Sequence, residues 1–163
     1  MVTVMDRINT VIAKALEVVA ALILLQMVVL VFGNVVGRYF FARAITWADE
    51  LARYSFVWLT FIGTALGVHR GSHIGLDIVT AHVSKRTELV LRILGLALVL
   101  VFLLVWVRWG TEMAYRNRRF IASATRIPLS FVYGIAPAMA AVMVLQHGTM
   151  LVKAIREALG RNV

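Results

Sequence analysis

The residues best placed to do chemistry stand at the edges of long apolar runs. Asp49, Glu50 and Arg53 fall in Trp47-Ala48-Asp49-Glu50-Leu51-Ala52-Arg53, directly before fifteen residues, Tyr54 to Val68, without a formal charge. Fifteen helical residues cover only about 22 Å at ~1.5 Å per residue, against roughly 30 Å for a hydrocarbon core. A helix that crosses there carries its charged ends to the membrane boundary or just below it. Ionisable groups at that depth are costly and need partners. Glu50 and Arg53 are three apart on one helical face and are placed to pair with each other. Asp49 is expected to be exposed.

Histidine offers the second possibility. His69 and His73 are four apart at the far end of that run, and His147 lies near the end of a later one. Two histidines on separate helices with facing imidazoles could hold a haem. An i, i+4 pair could hold a metal, but Gly71 and Gly75 weaken helix there and no carboxylate precedes the pair in helical register. At span ends a polar ring simply reaches headgroups or water. No Ser/His/Asp grouping, paired-acid site or glycine-rich phosphate loop occurs, and Cys is 0. The sequence therefore points to no catalytic residue, no metal and no cofactor.

The elements that must position these residues are membrane spans. Across 163 residues the hydrophobic fraction is 61%, mean hydropathy is +0.87, and 15% are charged, against ~25% in an ordinary soluble domain. One soluble core of this size could not hide that much apolar surface. The net charge of +9 is spread in short clusters between apolar runs, which suits arginines touching anionic headgroups and not nucleic acid. Four spans are predicted, about 18–37, 47–68, 89–109 and 127–149, making 1–163 a single all-α integral membrane domain with no soluble part. Pro128 suits a first helical turn, and Pro137 should kink the fourth helix from inside. The first run is long and lacks a small-residue cleavage site, so it reads as a retained helix. Charge does not orient the spans: the 17 Lys and Arg divide nine to eight between the two sides, which gives the positive-inside rule nothing to act on.

Packing surfaces are more legible. Small residues at four-residue spacing let membrane helices approach closely, and Gly33/Gly37 and Gly63/Gly67 are two such pairs. Glu50, Arg53, Thr60, Thr64, Gly67 and Gly71 form a polar and small stripe on the second helix; Ser130, Gly134, Ala138 and Ala141 form another on the fourth. The third helix, almost all Leu and Val, is expected to expose the most surface to lipid. Mid-span polar groups are limited to Gln26, Ser55, Thr60 and Thr64, too few for a self-sufficient coupling site. Small four-helix multidrug exporters use an acidic residue in the first span, and none lies between Val18 and Gly37. The pattern indicates a subunit of something larger. A haem- or quinone-linked four-helix membrane anchor is the alternative.

The Trp47–Arg53 entry, the following Phe56-Val57-Trp58-Leu59-Thr60-Phe61-Ile62-Gly63 and the exit Arg70-Gly71-Ser72-His73-Ile74-Gly75-Leu76-Asp77 resemble the small membrane subunit of tripartite ATP-independent periplasmic (TRAP) transporters, the DctQ type. Arg126-Ile127-Pro128 through Ala136-Pro137 is similar to that family's Ile-Pro, aromatic and second-proline pattern; Ser130-Phe131 departs from it where an aromatic pair is frequent. The resemblance implies a four-helix accessory subunit of a sodium-driven importer of organic acids in the bacterial inner membrane. It implies a large multi-span transport subunit and a periplasmic substrate-binding protein as partners, besides membrane lipids, and it implies both termini in the cytoplasm. Loops 38–48 and 110–126 would then be periplasmic. Arg116, Arg118 and Arg119, with Arg43 and Asp49 nearby, are the expected docking charges for the binding protein, lipid phosphates being the other claimant.

Overall fold

A computed structural model describes residues 2–43, 45–70 and 84–160. Four helices account for most of them: α1 (Val2–Phe41), α2 (Thr46–His69), α3 (Lys85–Arg116) and α4 (Leu129–Gly160). Each is long and apolar enough to cross a membrane, so the chain is an all-α membrane protein. Residues 71–77 of the exit motif, with Gly71 and His73, lie outside the described residues.

The helices run past the predicted spans because charge ends an uncharged run without ending a helix. α1 has 40 residues, about 60 Å at ~1.5 Å per residue. Its early acids find partners on other elements: Asp6 accepts from Lys153 Nζ at 2.7 Å and Glu17 from Arg70 at 2.8 Å. Asn9 donates to Thr149 Oγ1 at 3.2 Å, and Arg92 of α3 stands 3.9 Å from Glu157 of α4. These contacts gather the start of α1, the end of α2, the start of α3 and the end of α4 at one side, here termed the terminal end. α3 begins behind Ser84, whose hydroxyl accepts from Thr87 N–H at 3.3 Å, a common N-cap arrangement.

α4 is the hub. It packs along α3 and α2, while α1 lies mainly on α2 and touches α4 near the terminal end. The shared core takes Ile62 and Ala65 from α2, Leu103 from α3, and Ile135, Met139, Ala140 and Met143 from α4. Without a hydrophobic drive inside lipid, such contacts depend on close van der Waals fit, and Ala65 and Ala140 supply the small surfaces for it. Gly110 of α3 lies close against α4: a Cβ built there would meet the Pro137 ring at 3.3 Å. Pro137 lies inside α4, as expected; Pro128 stands one residue ahead of the helix, its carbonyl accepting from Phe131 N–H. Phe131 packs against Trp58 with ring centroids 4.9 Å apart, so a single aromatic serves where a pair is frequent.

At the opposite end, here the loop end, Tyr39, Phe40, Phe41, Trp47, Trp109 and Tyr115 are exposed, as aromatics at a membrane–water boundary are. α1, and not α3, shows the most apolar surface outward. No residue in its membrane window is buried, whereas α3 buries Leu96 and Leu103 against its neighbours. Hydropathy alone cannot separate a helix at the edge of a bundle from one against its centre.

Candidate functional site

Glu50 is the buried ionisable group that the span-depth argument singles out, and only 6% of its surface is exposed. Its partner is not Arg53. One carboxylate oxygen accepts from the backbone N–H groups of Ala124 (2.9 Å) and Thr125 (2.6 Å); the other accepts from Tyr54 OH (3.0 Å) and Ser123 Oγ (3.5 Å). Charged acceptors take such bonds strongly. Four donors therefore converge on one side chain in the first turns of α2. Arg53, one turn on, is exposed and makes no ion pair with Glu50.

The loop that Glu50 holds has its own frame. After the 3-10 turn Asn117–Arg119, Phe120 O accepts from Leu129 N–H (2.9 Å) and Ala122 N–H donates to Ile127 O (2.9 Å), with Ile121 and Pro128 in an antiparallel bridge. Inside this narrow ladder Arg126 N–H closes on Ala122 O at 3.2 Å, and Arg126 takes a positive φ of 59°. The turn leaves the N–H groups of residues 124 and 125 side by side, and Glu50 fills that concavity. Sequence reasoning missed Ser123, Ala124 and Thr125; the available signal was a short Ser-Ala-Thr run between Phe120-Ile121 and Ile127-Pro128, which reads as a turn.

The α1–α2 turn is secured next to it. Asn34 donates to Asp49 (2.6 Å) and accepts from Ile45 N–H (2.8 Å), while Arg43 N–H returns to Gly37 O (3.1 Å). Asp49 is exposed, as expected. Gly37 serves this turn: a Cβ there would sit 3.1 Å from Arg43 O. Ala42 turns the chain with a φ of 51°.

Of the other predicted packing glycines, Gly33 and Gly63 are exposed and Gly67 and Gly134 half-buried. A Cβ at Gly33, Gly63, Gly67 or Gly134 would meet nothing within 4 Å. Thr60, Thr64, Ala138 and Ala141 are exposed, and Ser130 is half-buried. Thr60 and Thr64 donate to carbonyls one turn back, Phe56 O (2.9 Å) and Thr60 O (2.8 Å), and Gln26 donates to Ser55 across α1 and α2 (3.3 Å). Of the docking arginines, Arg116 is held by Glu112 at 2.8 Å and Arg118 lies 3.8 Å from the Tyr115 ring centroid. Arg43 and Arg119 are exposed. His147 does not reach headgroups or water: it is 2% exposed, with Nδ1 3.0 Å from Met143 O of its own helix.

Residues 27–157 match the family model described as tripartite ATP-independent periplasmic transporters, DctQ component. The chain belongs to this family. A TRAP transporter small permease protein of Haemophilus influenzae is 42% identical over 65 residues, 40% of either chain. The C4-dicarboxylate TRAP transporter small permease protein of Vibrio cholerae is 33% identical over 86 residues, 53% of this chain and 37% of its own. A second Haemophilus small permease is 30% identical over 124 residues, 74% of this chain and 73% of its own. The matched stretches thus span well under half of the first two relatives. As a DctQ-type TRAP small permease subunit, the chain is a multi-pass inner-membrane protein, and both the Glu50 clamp and the outward glycine faces lie within its matched part.

Proposed function

We propose that the chain is the accessory membrane subunit of a sodium-coupled TRAP importer, packing against the large transport subunit, stabilising it, and helping to dock the substrate-binding protein. The observation that carries this is the outward direction of the glycine faces. Among the described residues a Cβ at Gly63 or Gly67 would meet nothing within 4 Å, Gly63 being exposed and Gly67 half-buried, and a small-residue face in a membrane helix suits close approach by another helix. Gln26, Ser55, Thr60 and Thr64 are hydrogen-bonded within the chain, which supports a subunit without a transport site of its own. Relatives named for C4-dicarboxylates support an organic acid anion as the cargo.

In this reading both termini are cytoplasmic and the loop end faces the periplasm, so the Glu50 clamp fixes the surface that carries Arg43, Arg116, Arg118 and Arg119 beside Asp49. The chain acts as one membrane domain. Replacing Gly63 and Gly67 by Leu should separate helices that need close contact and reduce co-purification with the large subunit, while the isolated variant keeps its helix content. Full co-purification and normal uptake by the double variant would reject the packing role.

A further inference from the structure

α1 has two opposite seams, and among the described residues only one is used by its own chain. The inner line runs Asn9, Ala13, Leu16, Ala20, Ile23 and Met27, in alternating steps of four and three, all buried or half-buried. On the outer side the same alternation selects Val4, Ile8, Val11 and Ala15. It continues through the membrane run from Val18 to Phe32. Every one of the first four is exposed, Val4 and Val11 by 61% and 62%.

Within lipid an apolar line carries little information, since any apolar residue is accepted there. The first four positions precede Lys14 and Glu17 or sit among them, in the part of a 40-residue helix that a ~30 Å hydrocarbon core leaves outside. An apolar line with alternating steps of four and three, in that setting, is the spacing by which a second helix is gripped. Arg7 and Lys14 flank the line on one side, seven residues apart. Neither has an ion pair among the described residues, whereas the acids of the same segment, Asp6 and Glu17, are engaged by Lys153 and Arg70. A parallel second copy would bring basic groups and no free carboxylate to this flank.

We infer that the outer seam of α1 docks a long helix of the large transport subunit, which follows α1 out of the bilayer at the terminal end and offers carboxylates to Arg7 and Lys14. This rests on the assembly reading above and adds to it the helix face and the chemistry of the partner. The test places a benzophenone amino acid singly at Ile8, Val11 or Ala15, and at Thr10, which is exposed but off the line, in chain co-expressed with the large subunit. Irradiation should give an adduct with the large subunit at the three seam positions and little at Thr10. Arg7→Glu with Lys14→Glu should lower the seam adduct roughly threefold to tenfold at low salt, as two partly exposed ion pairs allow, and less at high salt. Lipid adducts of equal yield at all four positions, or an adduct of two copies of this chain, would overturn the inference. If the large subunit co-purifies but forms no seam adduct, the seam is wrong and the assembly reading stands; if no large subunit co-purifies, both fail.

Discussion

The two ends of the helix bundle are held by different physics. At the loop end a buried carboxylate binds backbone N–H groups of a distant loop, and Asn34 stitches the neighbouring turn. At the terminal end, partly exposed side chains pair across helices: Asp6 with Lys153, Glu17 with Arg70, and Arg92 with Glu157. Buried directional bonds fail together when their common acceptor is lost, because each stranded donor then bears its own desolvation cost. Exposed ion pairs are individually weak, screened by salt, and replaceable one by another. One end is thus specified by geometry and the other, apart from the buried Asn9–Thr149 bond, by a sum of small attractions.

The harshest way to break the comparison is Glu50→Ala, which strands the Ala124 and Thr125 N–H groups and Tyr54 OH. Its midpoint of thermal unfolding in detergent should drop by roughly 5 °C or more, and loop 120–129 should become cleavable by protease. Asp49→Ala, which removes one exposed acceptor, should have a far smaller effect; the reverse order would remove Glu50 from its role as anchor. A narrower test uses matched glycines. Gly37→Ala forces a Cβ to 3.1 Å from Arg43 O and should cost about 1–3 kcal/mol by overpacking. Gly33→Ala, with open space around it inside α1, should keep or raise the stability of the isolated chain, by up to about 1 kcal/mol from helix propensity.

At the terminal end, Lys153→Ala should cost less than about 1 kcal/mol, a difference that fades near ~1 M salt. Exchanging the charges of Asp6 and Lys153 should restore much of it. A salt-insensitive loss would mean that packing and not charge matters there. Smallest in stability is Arg43→Glu with Arg119→Glu, which touches neither tie. Uptake at limiting binding protein should nevertheless fall and recover in part with excess binding protein, as expected of rim charges that guide encounter. Unchanged uptake across binding-protein concentrations would assign both arginines to lipid.

Hydropathy made the four crossings legible, and the short uncharged run made Glu50 legible as a group too deep to stand alone. Its partners were not legible. Two of its donors are backbone N–H groups 74 and 75 residues away, and a backbone donor has no signature in residue type, whereas Arg53 at three residues' remove is the visible choice. The spacing of Gly63 and Gly67 marked a candidate packing face, and the described chain puts nothing within 4 Å of a Cβ at either position. The N-terminal turns of α1 were hidden for a related reason: Lys14 and Glu17 look like a boundary until Arg70 appears beside Glu17. Which helix sits at the centre cannot be read from four similar hydropathy profiles.

That central helix is also the last of the four to be synthesised. Four of the seven core residues belong to α4, so while the ribosome is still translating residues before Leu129, α1 and α2 can associate but α3 has little beyond the Phe61–Trp106 edge contact to settle against. Chains grow and fold from the N-terminus, and here the core must wait for the final segment. Until then Leu103 and the Gly110 notch face lipid or insertion machinery. A premature stop between α3 and α4 leaves an α1–α2 pair and a loosely held α3 in place of a bundle. The segment that forms α4 therefore acts as a checkpoint on the three helices translated before it.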